Sequence, residues 1–195
     1  MRILDVMKSR RSVREYKREG VPLKKIFKIL DAGRSAPSGA NQQPWRYIVI
    51  DSEELKWRIR KEAEKADKKF HESAPDWLKR WFEDQGITLE KRFLTEAPFL
   101  IVVAGSTKAP YWLESTWISI AYMILAAQSE GLATLTYTPG STSFLNVILD
   151  MPREYRPVAI IPVGYPSVAQ KMRKRTRKRL EEIAFYNKYG RSFIE

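Results

Sequence analysis

The sequence predicts an α+β domain, with about four or five strands covered by helices, and three observations carry that prediction. Three apolar runs have strand character, at 46–51, 98–104 and 158–163, and the second of these is continuous enough to be a strand buried on both faces. Amphipathic stripes with helical spacing lie around them, at 23–32 and 53–70. The run 112–132 is apolar nearly all round, which marks a helix from the middle of a protein or of an oligomer and makes it the innermost helix of the domain. A chain of 195 residues without internal repeats or low-complexity linkers fits one domain, 1–195.

In chain order, Ile3, Leu4, Val6 and Met7 stand at helical spacing, so residues 3–9 form a short helix that ends at Arg10. Residues 10–16 alternate in a β-like way on the path to Gly20. Pro22 stands where a helix begins, since the N–H it lacks is one that a first turn leaves unpaired anyway, and the stripe Leu23, Ile26, Phe27, Ile29 and Leu30 runs on to Ala32. Gly33 and the proline-rich segment after it stop that helix. Beyond the strand 46–51, Ser52, Glu53 and Glu54 supply an acceptor and two carboxylates at the start of a helix that extends to about Phe70. Trp77, Leu78, Trp81 and Phe82 make a second short helix whose aromatic face covers core, a partner subunit or a ligand. Residues 89–94 continue helically into the strand 98–104. Gly131 caps the long apolar helix, and 134–138 make a short strand that ends at Pro139 and Gly140. Ser141 or Thr142 then caps a helix carrying Phe144, Leu145, Val147, Ile148 and Leu149. Gly164 stops the strand 158–163, residues 180–185 are briefly helical, and 186–195 form a tail.

Composition narrows the chemistry. The chain has no Cys and a single His, His71, which excludes disulfides, thiolate metal sites and a thiol nucleophile and argues against a His metal cage or a Ser-His triad. Residues 1–6 carry a charge inside a short apolar run, too brief for a signal segment, and no window has the length of a membrane span, so a cytoplasmic protein is expected. The net charge of +12 invites a nucleic-acid reading. Yet the cations of 53–69 alternate with acids as on a solvated helix face, and only 171–179 is densely basic. Charged residues at 30% with few glycines also suit a thermophile.

Two stretches stand out. Residues 35–45, Ser-Ala-Pro-Ser-Gly-Ala-Asn-Gln-Gln-Pro-Trp, form an ordered polar loop, because Pro37 and Pro44 donate no backbone hydrogen bond and Ser38, Gly39 and Asn41 suit turns. Such a loop either connects two elements or grips a flat polar ligand by its edges. Residues 9–14, Ser-Arg-Arg-Ser-Val-Arg, gather three guanidinium groups and a hydroxyl near a helix end. That is either a solvated basic turn or a phosphate site, since arginine binds phosphate bidentately and keeps its charge.

In this order the two stretches resemble the FMN-dependent nitroreductase family. Gly131 and Leu132 with Thr136, Tyr137, Thr138 and Pro139 are similar to that family's segment beside the flavin, and Val163, Gly164, Tyr165 and Pro166, followed by Arg177 and the residues to Ile183, are similar to its ending. Residues from about 64 to 94 lack a match and are read as a variable lid. The resemblance implies a nitroreductase-like fold with a central mixed or antiparallel sheet, in an intertwined homodimer with FMN at the subunit interface. It implies Arg10, Arg11, Ser12 and Arg14 at the phosphate, ribityl chain and pyrimidine edge of FMN, with Arg177 returning to the phosphate. Pro37, Ser38, Gly39 and Asn41 contact the ring, some from the second subunit, and Thr136, Tyr137 and Thr138 lie near its reactive edge. It also accounts for the missing catalytic residues, because the flavin carries the chemistry. The expected reaction is ping-pong, from NADH or NADPH through FMN to a small planar acceptor such as a nitroarene or quinone.

The run 36–40, ending in Ala40, resembles in particular the branch that includes the iodotyrosine deiodinases. There an acidic residue, a Tyr and a Lys of the lid grip an amino-acid zwitterion, and by spacing Asp67, His71 and Lys91 fall at those positions. Asp is shorter than Glu and His is not Tyr, so the chain departs from that grip. Reductive dehalogenation of a halotyrosine is therefore the alternative reaction. From other classes stand a flavin-binding protein without turnover and a basic nucleic-acid-binding module using 171–179.

Overall fold

Among the described residues, four antiparallel strands make the sheet on which the helices are laid, in the order β1-β2-β4-β3. They are β1 (Trp45–Ile50), β2 (Phe99–Ser106), β3 (Ala133–Thr134) and β4 (Tyr155–Gly164). The structure is a computed structural model, and it describes residues 2–167 and 176–193. Strand β2 is central, with Trp45 opposite Gly105 on one side and Phe99 opposite Val163 on the other. The sheet agrees with the α+β expectation and falls at the antiparallel end of the mixed or antiparallel range.

Seven helices are found among the described residues: α1 (Ile3–Ser9), α2 (Leu23–Arg34), α3 (Glu53–Ser73), α4 (Asp76–Asp84), α5 (Phe93–Glu96), α6 (Trp112–Ser129) and α7 (Phe144–Ile148). Side-chain alternation on β2 sorts the core into two layers. Leu100 and Val102 pack with Ile59, Ala63, Leu94 and Leu145 from α3, α5 and α7, whereas Ile101 and Val103 pack with Ile26, Ile29, Ile120 and Met123 from α2 and α6. Each such side chain, removed wholly from water, stabilises the fold by about 1.5–3 kcal/mol before the entropy of ordering it is counted.

The start of α3 follows the sequence closely, with the Ser52 hydroxyl accepting from the Leu55 N–H at 3.3 Å. Elsewhere the structure corrects the expectations. Residues 10–16 make no ladder: Val13 and Tyr16 are the buried positions, so the segment is anchored at two points, with single bridges from Ser12 to Thr134 and from Tyr16 to Pro166. The strand expected over 134–138 ends at Thr134 and regains β4 only at Tyr137, which bridges to Ile160. Residues 89–92 are not helical, because the Lys91 N–H is bound by the Glu64 carboxylate at 2.7 Å instead of by a carbonyl of a preceding turn. Neither Ser141 nor Thr142 caps α7, whose N-cap is Ser143 without a side-chain bond. The Thr142 hydroxyl is drawn to the Pro157 carbonyl at 2.8 Å instead.

Helix α6 is not the innermost element of the single chain. Its sheet-facing side is small or slender, with Ser115, Thr116, Ser119, Ile120, Met123 and Ala127 buried. The opposite side leaves Leu113, Trp117, Ile118 and Tyr122 each about two-fifths exposed. No helix among the described residues is long and apolar enough to cross a membrane.

Candidate active site

Of the two stretches singled out in the sequence, only the arginine segment enters the cavity of its own chain. This cavity, of about 1760 Å³, lies between the end of α1, the segment 136–140, the face of α3 and the lid helix α4. Arg10, Arg11, Ser12 and Arg14 line it, and so do Thr136, Tyr137, Thr138 and Arg177. Asp67, His71 and Lys91 complete the set of predicted residues that the fold brings together there.

The arginine segment is held by its apolar neighbours. Val13 donates its N–H to the Thr134 carbonyl at 3.0 Å. The hydroxyl of buried Tyr16 donates back to the Val13 carbonyl at 2.9 Å, and burial pushes the pKa of that phenol far up, so it stays a neutral donor. With Val13 and Tyr16 locked into the core, the alternating residues Ser12 and Arg14 are left exposed on the cavity side.

The floor is a buried polar cluster. Tyr137 exchanges backbone hydrogen bonds with Ile160, and its hydroxyl donates to Asp67 Oδ2 at 2.9 Å. Gly140 donates its N–H to Asp67 Oδ1 at 2.9 Å, and it lies so close to α3 that a Cβ there would meet the Ala66 carbonyl oxygen at 2.8 Å. Lys91 Nζ lies 3.0 Å from Asp67 Oδ2 and donates to the Thr88 carbonyl at 2.6 Å. Burial first, and then the charge of Asp67, drives the Tyr137 pKa far above its ordinary value, so Tyr137 holds its proton at any working pH.

The roof is aromatic. The His71 ring stacks on Phe82 with centroids 4.3 Å apart, and Phe70 and Trp81 meet Phe82 edge-on. Trp81 and Phe82 therefore line the cavity as the helical spacing suggested, while Trp77 stays 69% exposed outside it. The far end of the lid is fastened by charges. Arg60 on α3 pairs with Glu64 at 2.7 Å and with Glu90 at 2.9 Å, and Arg92 pairs with Glu90 at 2.8 Å. The hydrogen bond from Arg92, aided by Arg60, holds the Glu90 carboxyl below its ordinary range. The fastening is thus complete at neutral pH and is lost only as acid takes the pH down through that lowered value. The sequence reading missed this network, because Arg60 and Glu64 at i, i+4 look like any solvated helix pair. An Arg60→Met variant is expected to speed tryptic cleavage at Lys79 or Arg80 about fivefold or more, as local opening of the lid becomes easier, with little change in the global thermal midpoint.

Pro37, Ser38, Gly39, Ala40 and Asn41 do not reach this cavity within one chain. They form a separate surface turn beside the start of α6, where the Gly39 N–H donates to Ser115 Oγ at 3.3 Å. A Cβ on Gly39 would meet the Tyr111 ring at 2.7 Å, so any side chain here would have to push that ring aside. Ala40, Asn41 and Gln43 take the left-handed conformation, with φ of 49°, 53° and 45°. The Ser38 hydroxyl supports them by accepting from the Gln43 N–H at 2.9 Å. Of the basic run, residues 171–175 lie outside the described residues. No cluster of metal-ligating side chains occurs among the described residues.

The profile of the Nitroreductase family matches residues 7–165. The chain belongs to the nitroreductase family. Within it, an iodotyrosine deiodinase of Thermotoga neapolitana is 38% identical over 164 residues, spanning 84% of this chain and 88% of that one. An iodotyrosine deiodinase of Haliscomenobacter hydrossis is 36% identical over 174 residues, spanning 83% of this chain and 78% of that one. A crystal structure of an oxidized iodotyrosine deiodinase bound to FMN and 3-iodo-L-tyrosine superposes with a TM-score of 0.87 and 35% identity, covering 94% of this chain and all of the other. The architecture described above is accordingly the nitroreductase-like fold.

Proposed function

We propose that this nitroreductase-family protein is an FMN-dependent reductive dehalogenase acting on a halogenated phenol ring of the iodotyrosine type. One observation carries the reading: a single cavity joins a cationic end, a neutral hydroxyl-bearing floor and an aromatic roof. Its volume exceeds the roughly 300–1,000 Å³ of a pocket for one small molecule, leaving room for a flavin nucleotide and an aromatic ring together. The side chains fit FMN in kind. Arg10, Arg11, Arg14 and Arg177 suit the phosphate, Ser12 the ribityl hydroxyls, and the hydroxyls of Thr136 and Thr138 the polar edge of the ring.

When bound, FMN supplies the electrons. The overall change replaces an aryl carbon–halogen bond by carbon–hydrogen, consuming two electrons and one proton and releasing halide. The chain's own part is to bind and to shield. The arginines hold an anion with forked, charge-assisted hydrogen bonds, the phenol of Tyr137 stays protonated beside Asp67, and the His71–Phe82 stack closes an apolar wall over the acceptor. No Cys, metal or second His is needed.

Two further points belong to this proposal. The protein acts as a homodimer, in which the turn 37–41 of one subunit meets the flavin of the other; the position of that turn outside its own cavity, beside the first turn of α6, supports this arrangement. NADH or NADPH as electron donor, with a nitroarene or quinone as acceptor, is the second reading, favoured by a roof that offers flat aromatic surface to any planar acceptor.

The test is anaerobic. The purified protein should show a flavin spectrum, and after dithionite reduction it should release iodide from iodotyrosine while its flavin is reoxidised. NADH, NADPH and a nitroarene are tried alongside. A colourless protein that takes up no FMN overturns the cofactor assignment. A flavoprotein that reduces the nitroarene but leaves iodotyrosine intact replaces the first reaction by the second.

A further inference from the structure

Resting on the dehalogenase reading above for the substrate, we infer that Tyr137 is a positioning residue for the substrate's ammonium group. Its hydroxyl fixes the Asp67 oxygen that receives this group when the Asp67–Lys91 pair opens around an amino-acid zwitterion.

An α-amino acid carries an ammonium and a carboxylate on one carbon. Asp67 and Lys91 both line the cavity and offer the two opposite charges 3.0 Å apart. Their side chains are only 10% and 5% exposed, so either ion left alone there would be strongly unfavourable. A zwitterion entering between them leaves neither alone: its ammonium meets Asp67, its carboxylate meets Lys91, and one ion pair is exchanged for two. A plain halophenol, which has the ring without these charges, cannot make that exchange.

The carboxylate must then stay in place without Lys91. Its Oδ1 accepts from the Gly140 N–H at 2.9 Å, and its Oδ2, the oxygen that faces Lys91, accepts from the Tyr137 hydroxyl at 2.9 Å. A carboxylate oxygen has room for two donors, so the phenol and an incoming ammonium can share Oδ2. Burial first, and then the charge of Asp67, keeps that phenol protonated and therefore always a donor. Tyr137 cannot drift either. Its backbone exchanges hydrogen bonds of 3.0 and 2.9 Å with Ile160, and Phe93 meets its ring edge-on with centroids 5.1 Å apart. Lys91, for its part, keeps the Thr88 carbonyl at 2.6 Å as it turns toward the substrate. The hydroxyl thus stops the carboxylate from rotating, and the ammonium finds its acceptor already aimed. Phenylalanine at this position keeps the backbone bonds and the ring contact and removes the hydroxyl alone.

Tyr137→Phe, Asp67→Asn and the double variant test this in the FMN-loaded protein. Binding of iodotyrosine and of ortho-iodophenol to the oxidised proteins is read from flavin fluorescence, and iodide release is followed after dithionite reduction. Tyr137→Phe is expected to raise the dissociation constant and the KM for iodotyrosine about tenfold or more beyond any change for ortho-iodophenol, with kcat affected less than KM. Because the hydroxyl acts through Asp67, adding Tyr137→Phe to Asp67→Asn should weaken iodotyrosine binding by much less than it does in the parent. A hydroxyl that only braced the cavity floor would move both ligands by the same factor, and that result would overturn the inference. Losses that multiply independently in the double variant would overturn it as well. A parent that binds iodotyrosine no more tightly than ortho-iodophenol has no grip on the zwitterion, so the inference falls while the dehalogenase reading stands. A parent that neither binds nor deiodinates either ligand overturns both together.

Discussion

An Arg10→Ala/Arg11→Ala variant is expected to bind FMN about a hundredfold or more weakly than the parent. Both side chains line the cationic end of the cavity, where the segment is fixed from below by Val13 and Tyr16. A hydrogen bond to a charged group contributes about 1.5–3 kcal/mol, and two such bonds lost together correspond to roughly 10²–10⁴ in the dissociation constant. The expectation has a second, independent signature. Contacts to a phosphate weaken with salt, so the parent's affinity should fall as ionic strength rises, and the double variant should show a shallower dependence. Lysine at both positions should restore the salt dependence more fully than the affinity, because an ammonium keeps the charge but not the bidentate fork. Fluorescence titration of the FMN-free proteins measures all three. If the alanine variant keeps its affinity within about threefold, below 1 kcal/mol, the phosphate does not lie at this end of the cavity.

The arginine end was legible in the sequence because most of its residues are contiguous: one anchored segment carries Arg10, Arg11, Ser12 and Arg14, and only Arg177 comes from elsewhere in the chain. The strands were legible for a similar reason, since the apolar runs of β2 and β4 need no partner to declare themselves. What escaped was pairing between distant positions. The resemblance to the deiodinase branch put Asp67, His71 and Lys91 together, but it could not show that Asp67 closes on Lys91, Tyr137 and Gly140, because each of those bonds depends on how α3 lies over the segment 136–140. Arg60 and Glu64 are indistinguishable in sequence from the other charges of the solvated face 53–69, because only the fold brings Glu90 to meet Arg60. The hydroxyl of Thr142 had two choices, its own helix or the Pro157 carbonyl, and only the fold decides between them. Most telling is α6. Its sequence says that both faces are apolar, yet one side packs on the sheet and the other is open in the single chain. Hydropathy shows that a face wants covering and is silent on whether the same chain or a second copy covers it.

That open face makes the second large prediction. Trp117→Glu together with Ile118→Glu is expected to yield a monomer that no longer retains FMN. Leu113 and Trp117 stand four apart, as do Ile118 and Tyr122, so they form two rows along the open side of α6, at 41%, 38%, 40% and 41% exposure. Ile3, Leu4 and Met7 of α1, which packs against α6, are exposed apolar side chains as well. Within a single chain, a carboxylate at so exposed a position costs little, within about 1 kcal/mol. Between two chains it would be buried without a partner, at a cost of several kcal/mol for each ion, and a symmetric interface would meet that cost on both sides. Cofactor loss should follow from the same substitution, because the turn 37–41 is held beside the first turn of α6 by Ser115 and Tyr111 and does not reach its own chain's cavity. In the proposed dimer, losing the partner would take away the ring contacts assigned to this turn and leave the arginine end intact. Sedimentation of the variant and the parent, with flavin absorbance recorded in the same cell, separates the steps. A variant that sediments like the parent would show that α6 is not the interface. A monomer that keeps its flavin as tightly as the parent would show that each subunit builds its site alone.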